Sequence, residues 1–144
     1  MQYMWLLGFM IALILISCFD IRSKSIPLWG FVLIGILSVL YILISEEMEP
    51  NIVDILVSCI PGVVLLSLSF LTDDKIGKGD AILILELGIG LGIETICYVL
   101  TGALIAVFIF SVIMLALKKI KRTSRIAFVP FITFSMGVIG YVFR

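Results

Sequence analysis

Apolar residues gather in long runs along this chain, at 3–19, 28–44, 52–71, 95–117 and 127–143, with a shorter run at 81–93. A bilayer core about 30 Å thick takes roughly 20 residues of α-helix, so the five long runs predict membrane-spanning helices. The run 81–93 would reach only about 20 Å as a helix, and its length alone fits either a re-entrant segment or a crossing. Charge decides between them. Arg22 and Lys24 follow the first run, Lys75 and Lys78 the third, and Lys118, Lys119, Lys121, Arg122 and Arg125 the fifth in chain order. The alternate connections carry Glu46, Glu47, Glu49 and Glu94 and no basic residue. If all six runs cross, every lysine and arginine except Arg144 falls on one side, which the positive-inside rule makes cytoplasmic. Without the short crossing the basic loop would face the wrong way. The prediction is therefore an all-α, polytopic protein with six transmembrane helices, both termini on the non-cytoplasmic side, and residues 1–144 forming one membrane-embedded domain.

Local signals agree with these bounds. Pro27 suits a helix first turn, where its missing N–H costs nothing. Asn51, with Asp54 three residues on, resembles an N-cap arrangement. Gly88 and Gly92 form a G-x-x-x-G pair that would let the fourth helix pack closely on a neighbour, and Pro61-Gly62 is a candidate bend in the third.

Composition sharpens the solvent and narrows the chemistry. Hydrophobic residues make up 62% of the 144 residues and charged residues 14%, with a mean hydropathy of +1.32. Soluble domains carry about 45–50% and about 25% respectively, so lipid must cover the surplus. The first run lacks a basic n-region and a small-residue cleavage site, and reads as a retained span. The formal net charge is zero, which gives no bulk attraction for nucleic acid. There is no histidine, and Cys18, Cys59 and Cys97 form no C-x-x-C pair. A zinc site or a Cys/His nucleophile has almost nothing to work with, and the cysteines read as apolar packing residues.

Two acids stand out on this topology. Asp20 closes the first span and Asp80 opens the short fourth, both at the cytoplasmic edge, where ionisable groups are costly unless paired, hydrated or used. Two carboxylates held close together share a proton. One can then take a proton from water while the other donates to a scissile carbonyl or leaving amine. Such a pair needs neither metal nor cofactor. Gly77 and Gly79 can adopt positive φ and leave room for a substrate backbone, and the short helix would leave Asp80 in a hydrated dip. The bland alternative is that both acids only cap helix ends or pair with nearby cations. Asp73 and Asp74 could attract a basic peptide, or form a solvated helix end with Lys75. Glu86 lies about 240° round the helix from Asp80 at 100° per residue, and is expected at a helix–helix contact.

The segment Asp20-Ile21-Arg22-Ser23-Lys24-Ser25-Ile26-Pro27 resembles the first motif of the prepilin peptidases, membrane aspartyl proteases that process type IV and related prepilins. Gly77-Lys78-Gly79-Asp80, followed by Leu83 and Gly88, is similar to their G-x-G-D motif. Arg125-Ile126-Ala127-Phe128-Val129-Pro130-Phe131 resembles a softer third signature. The resemblance spans nearly the whole chain and the six-span order. It implies that Asp20 and Asp80 are the catalytic pair, that Gly77 and Gly79 present the second acid, and that Ile26, Pro27 and Pro130 are structural members of the motifs. It also implies endoproteolysis that frees a prepilin of its short cytoplasmic leader, at the cytoplasmic membrane, without a cofactor. Leu28 stands where many relatives carry a polar residue. The cysteine-bearing cytoplasmic region that bifunctional members use for N-methylation has no counterpart, so cleavage without methyl transfer is expected, as in the short form found with Flp-type pilus systems and, less closely, the archaeal preflagellin peptidases. Two other readings stay open. One is an intramembrane G-x-G-D protease of the signal-peptide-peptidase type, whose Tyr-Asp motif Phe19-Asp20 only approximates. The other is a small non-enzymatic carrier or scaffold.

Overall fold

A computed structural model describes residues 2–23, 26–44, 51–72, 77–118 and 126–142, with side chains from Trp5 onward. All regular structure among them is helical: α1 (Gln2–Ser23), α2 (Leu28–Ile44), α3 (Ile52–Leu71), α4 (Lys78–Ala116) and α5 (Val129–Val142). α1, α3 and α4 are long and apolar enough to cross a membrane, while α2 and α5 are shorter apolar helices. The sequence reading put a junction at Glu94 between two separate helices. Instead α4 runs 39 residues, with Gly92 alone holding a non-helical backbone at φ 80°, ψ 165°.

That one glycine reverses the chain. A Cβ built on Gly88 would lie 3.8 Å from Ile96 Cγ2, whereas eight residues of straight helix separate by about 12 Å. Farther along, the Phe110 ring sits 5.3 Å from that of Phe131, at the end of α5 that faces Asp80. In a straight helix residues 80 and 110 would be about 45 Å apart. The arms 78–91 and 93–116 are therefore antiparallel neighbours. Gly92 makes no close helix contact, since nothing lies within 4 Å of its Cβ position. The expected G-x-x-x-G packing pair thus splits into a contact at Gly88 and an elbow at Gly92.

Contacts fix the directions of the remaining helices. Gly62 of α3 abuts Leu85, and Gly88 abuts the Ser58 carbonyl, so α3 and the first arm of α4 are antiparallel. Gly79 meets Ile26 and Phe31, and Gly90 meets Ser38, which makes α2 parallel to that arm. On α1, Ile16 packs at Gly30, Met10 at Gly137 and Leu6 at Gly140, which makes α2 and α5 both antiparallel to α1. In chain order the six helical arms thus alternate in direction. The core lies where α1, the α4 arms and α5 meet, around Phe9, Leu13, Ile16, Leu83, Leu87, Ile96, Val99, Ile132 and Met136.

Small residues and hydroxyls join the helices. Ser38 Oγ donates to the Glu86 carbonyl at 2.9 Å and Ser135 Oγ to that of Val99 at 2.8 Å, bonds of the kind that hold helices together where burial in lipid supplies little drive. Outward faces carry Leu43, Ile52, Phe70, Phe108 and Phe134, all exposed, which suits lipid and not water. Cys18 and Cys97 are exposed there too, with only Cys59 half-buried, so the expected packing role fails for two of the three. Asn51 begins α3 without a side-chain cap; its carbonyl accepts from Asp54 N at 2.9 Å instead.

Candidate functional site

Asp20 and Asp80 reach the same end of the bundle by different routes. α1 continues to Ser23, so Asp20 sits in helix, one turn beyond the core residue Ile16, and is only 4% exposed. Burial of a carboxylate demands a donor, and α5 supplies one. The Val129 N–H donates to Asp20 Oδ2 at 3.2 Å. Val129 opens α5, where first-turn N–H groups lack helical partners and an anion is favoured. Pro130 follows with no N–H of its own, and Phe128 O closes the turn by accepting from Phe131 N at 3.0 Å. The third signature therefore has a physical basis: it starts a helix whose first backbone donor faces Asp20.

Asp80 stands in the first turn of α4, half-buried and within electrostatic reach of Asp20. Its carboxylate folds back over Gly77, where a built Cβ would lie 2.6 Å from Asp80 Oδ2. Gly79 is less crowded, with Ile26 Cδ1 and Phe31 Cζ each 3.4 Å from its Cβ position, which is ordinary contact. Neither glycine uses positive φ: Gly77 has φ −62°, and Gly92 is the one positive-φ glycine among the described residues. The expectation of left-handed backbone at these positions is corrected. The missing side chain of Gly77 makes room for Asp80's own carboxylate, and Gly79 lies in contact with Ile26 and with Phe31 of α2.

Ile26 is the keystone beneath the acids. It touches Gly79 of α4 and packs 3.6 Å from the Gly30 Cβ position, where Ile16 of α1 also arrives at 3.1 Å. One aliphatic layer thus spaces α1 from α4 directly below Asp20 and Asp80. Pro27 ends the connection, its carbonyl accepting from Gly30 N at 2.9 Å. Sequence reasoning named Ile26 and Pro27 but missed Gly30, Ile16 and Val129. A glycine one turn into α2 was the available signal for close packing, while a backbone N–H leaves no side-chain signature.

Gly77→Ala is expected to lower any activity that depends on Asp80 by roughly 10²-fold, the scale of a misplacement of about 1 Å. The thermal midpoint should barely move, because Gly77 is exposed. Kinetics and a melting curve on the same preparation check both halves.

The other candidates separate from this pair. Glu86 faces α2, with Oε1 3.9 Å from the Gly35 Cβ position, and its Oε2 is buried without a hydrogen-bond partner. It is a helix-contact residue, as its angular position predicted. Glu86→Met should stabilise the bundle by about 1–3 kcal/mol, the desolvation cost of an unpaired polar group; an unchanged or lowered midpoint in detergent would contradict this. Asp73 and Asp74 lie outside the described residues. No cluster of potential metal ligands occurs among the described residues. Two clefts do occur, one at the far end of the bundle and one along α1 and α5, and neither is lined by Asp20 or Asp80.

The profile of the type IV leader peptidase family matches residues 7–118. No curated protein and no solved structure matches the chain.

Proposed function

Because the chain belongs to the type IV leader peptidase family, we propose that it is a membrane aspartic endopeptidase that removes short cytoplasmic leaders from prepilin-like proteins, with Asp20 and Asp80 as its catalytic pair. The observation that carries this reading is the convergence of the two acids, from the first and fourth helices, at one end of the bundle. In the proposed topology the six alternating arms all cross the cytoplasmic membrane. The basic connections then mark the aspartate end as cytoplasmic and leave both termini outside.

The reaction follows from what a pair of carboxyls can hold. With one proton between them, the unprotonated carboxylate takes a proton from water as its oxygen attacks the scissile carbonyl carbon. The protonated partner gives its proton to the carbonyl oxygen. Collapse of the resulting gem-diol breaks the C–N bond, with a proton passing to the leaving amine. The Val129 N–H orients Asp20, and Gly77 lets the Asp80 carboxylate turn inward. The reading is cleavage without methyl transfer: Cys18, Cys59 and Cys97 sit on three different helices and make no pair. Asp73 and Asp74 are proposed to meet the basic leader.

Coexpression with a candidate prepilin tests the proposal, with leader loss followed as a gel shift and the new N-terminus sequenced. A cut at the cytoplasmic boundary of the substrate's apolar segment is the expected result. A cut inside that segment would favour intramembrane proteolysis instead, and no cut in any prepilin-like partner would count against the reading.

A further inference from the structure

Asp20 and Asp80 ride on helices whose backbones stay apart: among the described residues no Cα of α1 comes within 8 Å of one of α4. At the aspartate end the start of α2 stands between them. Gly79, the neighbour of Asp80, has Ile26 Cδ1 3.4 Å from its Cβ position. One turn along, Gly30 has Ile26 Cγ2 3.6 Å from its own Cβ position. Ile16 of α1 comes closer still, with Cγ1 at 3.1 Å and Cδ1 at 3.2 Å. Ile16 lies four residues, about one turn, before Asp20. The stack of Ile16, Gly30, Ile26 and Gly79 is thus tied to one acid at each end.

Gly30 serves this stack by what it lacks. Its backbone is that of an ordinary helix start, the N–H donating to the Pro27 carbonyl at 2.9 Å, and its φ is not positive. Glycine without such a need weakens a helix, so what matters here is the missing methyl. Carbon contacts are best at about 3.5–4.0 Å, and a Cβ on Gly30 would fall short of that against Ile16. Ile16 is fully buried and cannot swing into lipid, so α1 itself must give way. We infer that Gly30 is a positioning residue for the aspartate pair: its bare Cα lets α1 settle against α2 and so sets the separation of Asp20 and Asp80. It acts through Ile16 and Ile26 and not on a reacting group. Its effect on rate rests on the peptidase reading.

Steady-state cleavage of a prepilin-like substrate by the full chain in detergent tests this. A shift of a few tenths of an ångström should cost less than the ~10²-fold of a 1 Å misplacement, so Gly30→Ala should lower kcat about ten-fold. KM should stay within about two-fold, because the loss falls on the reacting geometry and not on binding. Ile16→Val removes Cδ1, so Gly30→Ala with Ile16→Val moves one carbon across the contact and keeps their number. Residues in contact are non-additive, and this double variant should return kcat to within about three-fold of the unsubstituted chain. Gly140→Ala is the control: its Cβ would lie 2.6 Å from Leu6 Cδ2, which wedges α1 at the far end, and kcat should stay within about two-fold. Alanine is the better helix former, and a melting curve shows which variants fold. A folded, active double variant beside a Gly30→Ala chain that does not fold would still be the rescue expected. Undiminished kcat in Gly30→Ala, no rescue by Ile16→Val, failure of both to fold, or an equal loss in Gly140→Ala would each overturn the inference. No cleavage by the unsubstituted chain would instead refute the peptidase reading, and this consequence with it.

Discussion

Asp80→Asn is expected to lower leader cleavage by roughly 10²–10⁴-fold, the range for losing a positioned acid or base, and Asp20→Asn by a similar factor. The substitution is close to isosteric, so it removes the capacity to carry a proton and little else. At position 20 the amide oxygen can still accept from the Val129 N–H, which holds Asp20 at 3.2 Å. The α1–α5 contact should therefore survive, and the thermal midpoint should stay near that of the unsubstituted chain. Two groups working as one unit are strongly non-additive. The double variant should accordingly fall no further than about the worse single one. Single-turnover cleavage of a purified prepilin-like substrate supplies the measurement. Full activity from either single variant would exclude the shared-proton mechanism.

The largest loss of stability is expected at Gly92. Its φ of 80° with ψ of 165° lies where residues with a Cβ pay about 1–3 kcal/mol. No atom within 4 Å would obstruct an added Cβ, so Gly92→Ala isolates backbone strain from steric clash. Destabilisation of about 1–3 kcal/mol is expected, with Gly92→Val worse than alanine. Activity should fall with it, because the second arm of α4 seats α5 through the Ser135–Val99 bond, and α5 in turn anchors Asp20. Thermal unfolding in detergent, read beside cleavage rates, tests the link. A valine variant that melts with the unsubstituted chain would show that the elbow does not need glycine.

Much of this site was legible before any coordinates, because its chemistry sits in side chains with distinctive neighbours. Asp20 and Asp80 each lie at the edge of an apolar run, and alternating loop charge assigned both edges to one face. Ile26-Pro27 and Gly77/Gly79 were also visible, although the glycines do not use the positive φ expected of them. Sequence suggests conformational freedom wherever glycine occurs, while at Gly77 the absent Cβ leaves space for the Asp80 carboxylate. Gly92 is the opposite case: it read as a packing residue and proved to be the position that needs left-handed φ. The two roles of glycine leave the same letter in the chain, and only the path of the backbone separates them. The Val129 donor was invisible for a related reason, since backbone groups are common to all residues and gain function from where a helix begins.

The bond between Val129 and Asp20 also has a meaning in time. Its partners are 109 residues apart, which at a synthesis rate of about 5–20 residues per second is roughly 5 to 20 s of translation. Asp20 enters the membrane with the first helix and waits for the last one before its carboxylate is held in place. A chain interrupted before α5 would carry both acids and both glycines, yet leave Asp20 without this backbone donor. The order of manufacture would thus leave Asp20 without its Val129 donor until α5 has been made.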